Sequence, residues 1–439
     1  MHTISNSSLW LKNYFSLLLC LMPVSFIAGN LLINFNIIII VISALIFFKK
    51  DIFKIKYLLL DKFLFFYFGL IIFTAIYNDY SFYLSELAWK GYFSTLLKSI
   101  SFFRYLLMYL VLRYLIEKNL INIKYFFIIC GICSLFVCFD ILLQFFIGQD
   151  IFGLKPISPR KLSGPFGDEL IAGSFIQRFS ILSFFIFPLF FSNVSKIYLN
   201  YLTIFLFVIF LIGIILSGNR MPMLLFVFSI FLIIIFNKEM RKFLFSFTII
   251  LVVLFSLIHK YNDDVRNNFS ALRMQVSQMI IIVINNDFGN KSKPQYLNEF
   301  STFYDTWLMN KYIGGGIKNF RYYCHARPNI DKNSKFICNM HPHNYYLEIL
   351  TETGLLGLVI LLIFFSLVLY KTFYKKYFTY STLQSNNQIT PFIFLFIVEI
   401  FPIKSTGSFF TTGNTTYLFL VMAILIGLCN QDNLIDKKH

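Results

Sequence analysis

The sequence predicts an all-α polytopic membrane protein with about twelve transmembrane helices and one large periplasmic loop between the ninth and tenth. Three observations predict it. Of 439 residues, 58% are hydrophobic and only 13% charged, against about 25% charged in a soluble domain. No single globular core hides that much Phe, Ile and Leu from water. The apolar residues gather in runs close to the roughly 20 needed to cross a bilayer. Lysine-rich segments recur between alternate runs, as short cytoplasmic loops require.

In chain order the runs lie near 12–29, 31–48, 63–78, 99–116, 125–147, 174–192, 198–216, 221–236, 243–259, 344–370, 390–405 and 414–430. The first lacks a basic lead and a small-residue cleavage site, so it is expected to stay as a span. The segment 77–98 has room for a short interfacial helix. "KKDIFKIKYLLLDK" (49–62), "NKEMRK" (237–242), "KTFYKK" (371–376) and the closing "DKKH" are basic. With twelve spans they share one side with both termini, expected to be the cytoplasmic side. The other side receives the 148–173 loop, the turn "SGNR" (217–220) and the stretch 260–343. The chain thus divides into 1–259 (nine spans), 260–343 (periplasmic loop) and 344–439 (three spans).

The formal net charge is +17. Topogenic lysine facing anionic lipid headgroups accounts for most of it, and nothing beyond charge suggests nucleic acid. Arg160, Lys161, Arg220, Arg266, Arg273, Arg321 and Arg327 fall on the outer side, where the topology rule does not place them. A planar guanidinium suits phosphate oxygens, so an anionic ligand is expected there.

Five of the seven cysteines lie in or beside apolar runs, where Cys is a small hydrophobe. Cys324 and Cys338 sit instead in "RYYCHARPNIDKNSKFICNMHPHN" (321–344). In an oxidising compartment they can form a disulfide, which would pin the segment before His341. Zinc held with His325, His341 and His343 is the alternative, though the spacing fits no standard template.

"HPHNYYLEILTETGLLGL" (341–358) opens a helix. Asn344 is a good N-cap, and Gly354 can end or bend the segment. His343 then precedes the helix start, whose positive pole disfavours an imidazolium; this suits a general base. Glu348 and Glu352 lie one turn apart at a membrane boundary, where carboxylates are costly and often functional. Glycines 314–316 are not a nucleotide loop, because no Lys-Ser/Thr follows; a tight turn near the cavity is expected.

This stretch resembles the O-antigen ligase and O-antigen polymerase family of bacterial envelope glycosyltransferases. "YIGGGIKNFRYYC" (312–324), "LSGNRMPMLLFVFS" (216–229) and "LSGPFGDELIAGSFI" (162–176) resemble the family's other elements, in order, over about 160–360. The resemblance implies a GT-C-like fold and a glycan donor carried on undecaprenyl pyrophosphate. The acceptor is lipid A core for a ligase, or a growing glycan for a polymerase. It implies no cofactor or metal, since pyrophosphate is already a good leaving group and arginines can neutralise it. Arg220 matches the family's phosphate-contacting arginine, and His343 its histidine. Arg160, Arg321, Arg273, His341 and Glu348 are further substrate-binding candidates. "FYDTWLMNK" (303–311) keeps Trp307 without an arginine just upstream, so the second phosphate contact stays open between Arg321 and Arg273.

A lipid-linked sugar flippase or transporter is the reading from another class. It would place charges inside several spans near the midplane. Arg104, Asp140 and Arg178 are the main charges the apolar runs show. An outer-face cavity at Arg220 and His343 would favour the enzyme. A midplane cavity at Asp140 and Arg178 would favour the transporter.

Overall fold

The computed structural model describes residues 2–84, 94–158, 161–190, 195–236, 244–285, 295–327, 338, 343–374, 388–404 and 407–435. Among them every regular element is helical. The first half comprises α1 (His2–Ala28), α2 (Asn30–Phe48), α3 (Leu59–Leu84), α4 (Ser94–Glu117) and α5 (Ile123–Ile147). Next come α6 (Ala172–Phe179), α7 (Ile186–Phe190), α8 (Lys196–Leu216), α9 (Arg220–Phe236) and α10 (Leu244–Tyr261). The stretch expected as a loop is largely helical, with α11 (Asp263–Ile284), α12 (Gln295–Leu308) and α13 (Phe320–Tyr323). The chain closes with α14 (Tyr345–Leu369), α15 (Thr390–Glu399) and α16 (Thr412–Ile435).

Among the described residues, eight helices are long and apolar enough to cross a bilayer, and three apolar ones are shorter: Arg220–Phe236, Ser246–Tyr261 and Thr390–Glu399. Two expected spans differ. The run at 174–192 breaks into α6, a 3-10 segment Ser180–Phe185 and α7. Pro188 has no N–H for the carbonyl of Phe184, and the Ser183 hydroxyl bonds the carbonyl of Ser180 instead. The run at 390–405 stops at Glu399, because Pro402 disfavours helical backbone just before it.

α16 is the most deeply buried of the eight. It packs on α4 and α15, while α14 packs on α3 and α12. One continuous apolar core threads the bundle. At one end of it α3, α4, α14 and α16 are tied by a buried polar cluster. Arg113 meets Asp61 at 2.5 Å and Glu117 at 2.7 Å, Asn430 donates to Glu117, and Lys371 donates to Asn430. The basic segment Lys49–Lys54 lies at this end, against α4. This corrects the expectation that Arg104, Asp140 and Arg178 are the main charges of the spans: Asp61 and Arg113 sit inside two of them and hold each other.

Candidate functional site

At the opposite end, five helices begin around one cavity of about 690 Å³. Its wall includes Gly29 and Asn30 at the start of α2, Ser174 in the first turn of α6, Asn219 just before α9, His343 just before α14, and Gly413 at the start of α16. Each helix start turns the positive pole of its dipole toward that end. Five such poles around one space favour an anionic occupant. The remaining wall is mixed, with Lys161, Arg178 and Lys404 against Glu169 and Glu299.

His343 adopts a positive φ of 53°, an uncommon conformation for a side-chain-bearing residue. The next residue, Asn344, is extended and caps α14, its Oδ1 accepting from the N–H groups of Tyr346 (3.0 Å) and Leu347 (3.1 Å). The same side chain donates to the carbonyl of Pro402 at 2.8 Å, and Tyr346 donates to the carbonyl of Ile400. The histidine is therefore fixed to the turn that follows α15.

That turn carries Lys404, buried with Arg178 around Glu399. Arg178 Nη2 lies 2.7 Å from Glu399 Oε1 and Lys404 Nζ 2.5 Å from the same oxygen. Arg178 Nη2 also donates to Asn414 Oδ1 at 2.7 Å. The Tyr345 hydroxyl donates to Glu399 at 2.8 Å and accepts from Lys404 at 3.2 Å. Burial pushes the Lys404 amine down to about 7, against the pull of the Glu399 carboxylate and with the nearby Arg178 guanidinium adding to the shift.

The expected residues separate into distinct positions. His343 lines the cavity. Arg220 opens α9, and its Nη1 donates to Gln275 Oε1 at 3.2 Å; Gln275 lines the cavity, so Arg220 stands one side chain behind the wall. Glu348 is buried, and its carboxylate accepts from the Ser408 hydroxyl and the Phe409 N–H. It thus holds the turn whose Gly407 and Ser408 line the cavity. Arg273 and Arg321 are exposed and absent from the wall; the Arg321 guanidinium lies 5.0 Å from the Tyr322 ring centre. Arg160 and His341 lie outside the described residues. Asp140 is also absent from the cavity; its Oδ1 accepts from the N–H of Ile151 and shapes the loop after α5.

Cys324 and Cys338 form a disulfide with a Cα–Cα distance of 5.9 Å. It takes both thiols that the zinc alternative needed. The bridge packs on the stacked rings of Phe303 and Phe320, tying α12 to the segment that leads to His343.

The three glycines brace the helix rather than line the cavity. α14 breaks at Gly354, which has φ 68°. The N–H groups of Leu355 and Leu356 go to the carbonyls of Lys311 and Tyr312, while the N–H groups of Gly315 and Gly316 go to the carbonyls of Thr351 and Glu352. Four groups orphaned by the break are thereby satisfied. Gly314, with φ 73°, touches the backbone of residues 352–354 so closely that a Cβ would lie 2.5 Å from it.

Sequence reasoning missed Glu399 and Lys404, because both fell inside one apolar run. The available signal was two opposite charges straddling Pro402, followed by the polar "STGSFFTTGNTT" (405–416). No curated protein matches the chain. Residues 205–362 match the family model described as O-antigen ligase. That stretch, similar to the O-antigen ligase family, contains Arg220, the glycine brace and His343.

Proposed function

We propose that this ligase-type glycosyltransferase acts at the periplasmic face of a bacterial inner membrane, taking glycan from undecaprenyl pyrophosphate and passing it to a lipid A core sugar. The observation that carries the reading is the cavity at the end of the bundle remote from the basic Lys49–Lys54 segment, walled by His343, Arg178 and Lys404 and ringed by five helix starts. A transporter would need charges spread along a path. Here Asp140 is engaged in loop shaping, and Arg178 shares the cavity with His343.

In this reading His343 takes the proton from the acceptor hydroxyl as that oxygen attacks the anomeric carbon. The bond from that carbon to the diphosphate breaks, and the diphosphate leaves with the electron pair. Arg220 meets its charge, and Gln275, bonded to Arg220, joins the arginine to the cavity. Diphosphate is a good leaving group, so every step is routed through side chains. Arg273 and Arg321 keep the role of substrate contacts further out, reached by a long glycan chain, and Arg160 and His341 keep that of substrate contacts.

A deletion strain tests the proposal. Loss of all long chains from lipid A core, with polymer still on the carrier, is the expected result. Single repeat units on the core would instead indicate a repeat-unit polymerase. Unchanged surface glycan would overturn both.

A further inference from the structure

Arg178, Glu399 and Lys404 lie outside the stretch that matches the family model, and the mechanism above gives them no role. Two basic side chains share one carboxylate, with side chains 9% (Arg178), 0% (Glu399) and 3% (Lys404) exposed. When Lys404 is protonated the three carry one positive charge in excess, and a buried charge without a partner is expensive. Their donors are not used up. Arg178 spends Nε and Nη2 on Glu399, Asn414 and Tyr345, and Nη1 has no hydrogen-bond partner among the described residues. Lys404 has three N–H donors and places two, on Glu399 and Tyr345. Both residues line the cavity, and the first turn of α16 supplies Gly413 and Asn414 to the same wall.

We propose that the Arg178–Glu399–Lys404 cluster is an anion subsite, with Arg178 and Lys404 binding a phosphate group of the donor's diphosphate and Glu399 and Tyr345 positioning them. The assignment rests on the glycosyltransferase reading for its ligand. The bound phosphate supplies the missing negative charge and accepts the remaining N–H donors. Glu399 holds both cations through one carboxylate, so their spacing is fixed before the ligand arrives. The subsite shares its turn with the Pro402 carbonyl that anchors Asn344, which puts the leaving group beside the histidine.

The test uses the full-length protein in lipid nanodiscs, with inorganic pyrophosphate as the probe, measured by calorimetric titration. Lys404→Gln leaves Arg178 and Glu399 as a balanced pair. It should weaken pyrophosphate binding roughly tenfold to a hundredfold, the range for losing a charge-assisted bond. Lys404→Arg should stay within severalfold of wild type. Wild-type affinity in a folded Lys404→Gln protein, or no recovery in Lys404→Arg, overturns the subsite. Glycan transfer by the wild type is measured alongside. Transfer with no Lys404 dependence of pyrophosphate binding removes the subsite and leaves the enzyme. Lys404-dependent binding with no transfer does the opposite.

Discussion

At the scale of single residues, the proposed roles separate binding from chemistry. Arg220→Ala should lose both donor affinity and turnover, by about 1.5–3 kcal/mol for a charge-assisted bond. Arg220→Lys should recover only part, since an ammonium cannot copy the two-pronged guanidinium. His343→Ala should bind lipid donor almost normally and transfer glycan on the order of a hundredfold more slowly. Donor binding and transfer measured separately on purified protein check both; wild-type transfer by His343→Ala would reject its role. Lys404 adds a pH dependence. The groups facing it are Glu399 from α15, Arg178 from α6 and Tyr345 from α14. Burial pushes its amine down to about 7, and a bound anion favours the charged form. Binding therefore takes up a proton above about pH 7, and affinity falls as pH rises, by at most about tenfold per unit. Pyrophosphate itself titrates in this range, so the readout is the difference from Lys404→Arg, which should lack this component. His343 was legible in the sequence because its neighbours Pro342 and Asn344 mark a helix start. Lys404 was not, because its meaning comes from Arg178, 226 positions earlier in the chain, and no local pattern announces such a pairing.

At the scale of elements, the break in α14 is the most demanding local structure. A Cβ on Gly354 would collide with the carbonyl of Tyr312, and positive φ is costly for any residue with a side chain. Gly354→Ala should destabilise the protein by more than about 2 kcal/mol, from backbone strain and clash together. Gly69→Ala, where a Cβ meets nothing within 4 Å inside α3, should leave stability unchanged or raise it slightly. Thermal unfolding of the two variants in nanodiscs decides between them. The disulfide acts at the same scale. Replacing Cys324 and Cys338 by serine should cost about 3 kcal/mol in the chain-entropy model for a loop of this size, with the loss concentrated in α12 and the segment before His343. Hydrogen exchange would locate it. The apolar runs foretold the long membrane helices, though not α11, α12 and α13, and Asn344 foretold the cap of α14. It could not foretell that Gly354 interrupts a helix without ending it. That depends on a distant glycine turn arriving to take the freed backbone groups.

At the scale of the whole molecule, the two ends of the bundle divide the labour. One end is cross-linked by buried ion pairs between Asp61, Arg113 and Glu117; the other gathers helix starts around an open space. The expected orientation puts that open end in the periplasm. Cysteines introduced into α11 should then react with a membrane-impermeant thiol reagent in intact cells with a permeabilised outer membrane; labelling only after inner-membrane lysis would refute it. Fold class was readable because it follows from composition and the length of the apolar runs. The cavity was not, since its wall comes from eight separate stretches of sequence. The glycine brace has a mechanical consequence. The first nine residues of α14 take their position from the 311–316 turn, whereas the remainder packs on α3 and presents Leu355, Leu356, Val359, Leu362 and Ile363 outward. A tilt forced on the lower part by a thicker or thinner bilayer is absorbed at Gly354 before it reaches the histidine. Transfer rates in nanodiscs of short and long acyl chains should therefore stay within a few-fold of each other, even where unfolding temperatures diverge.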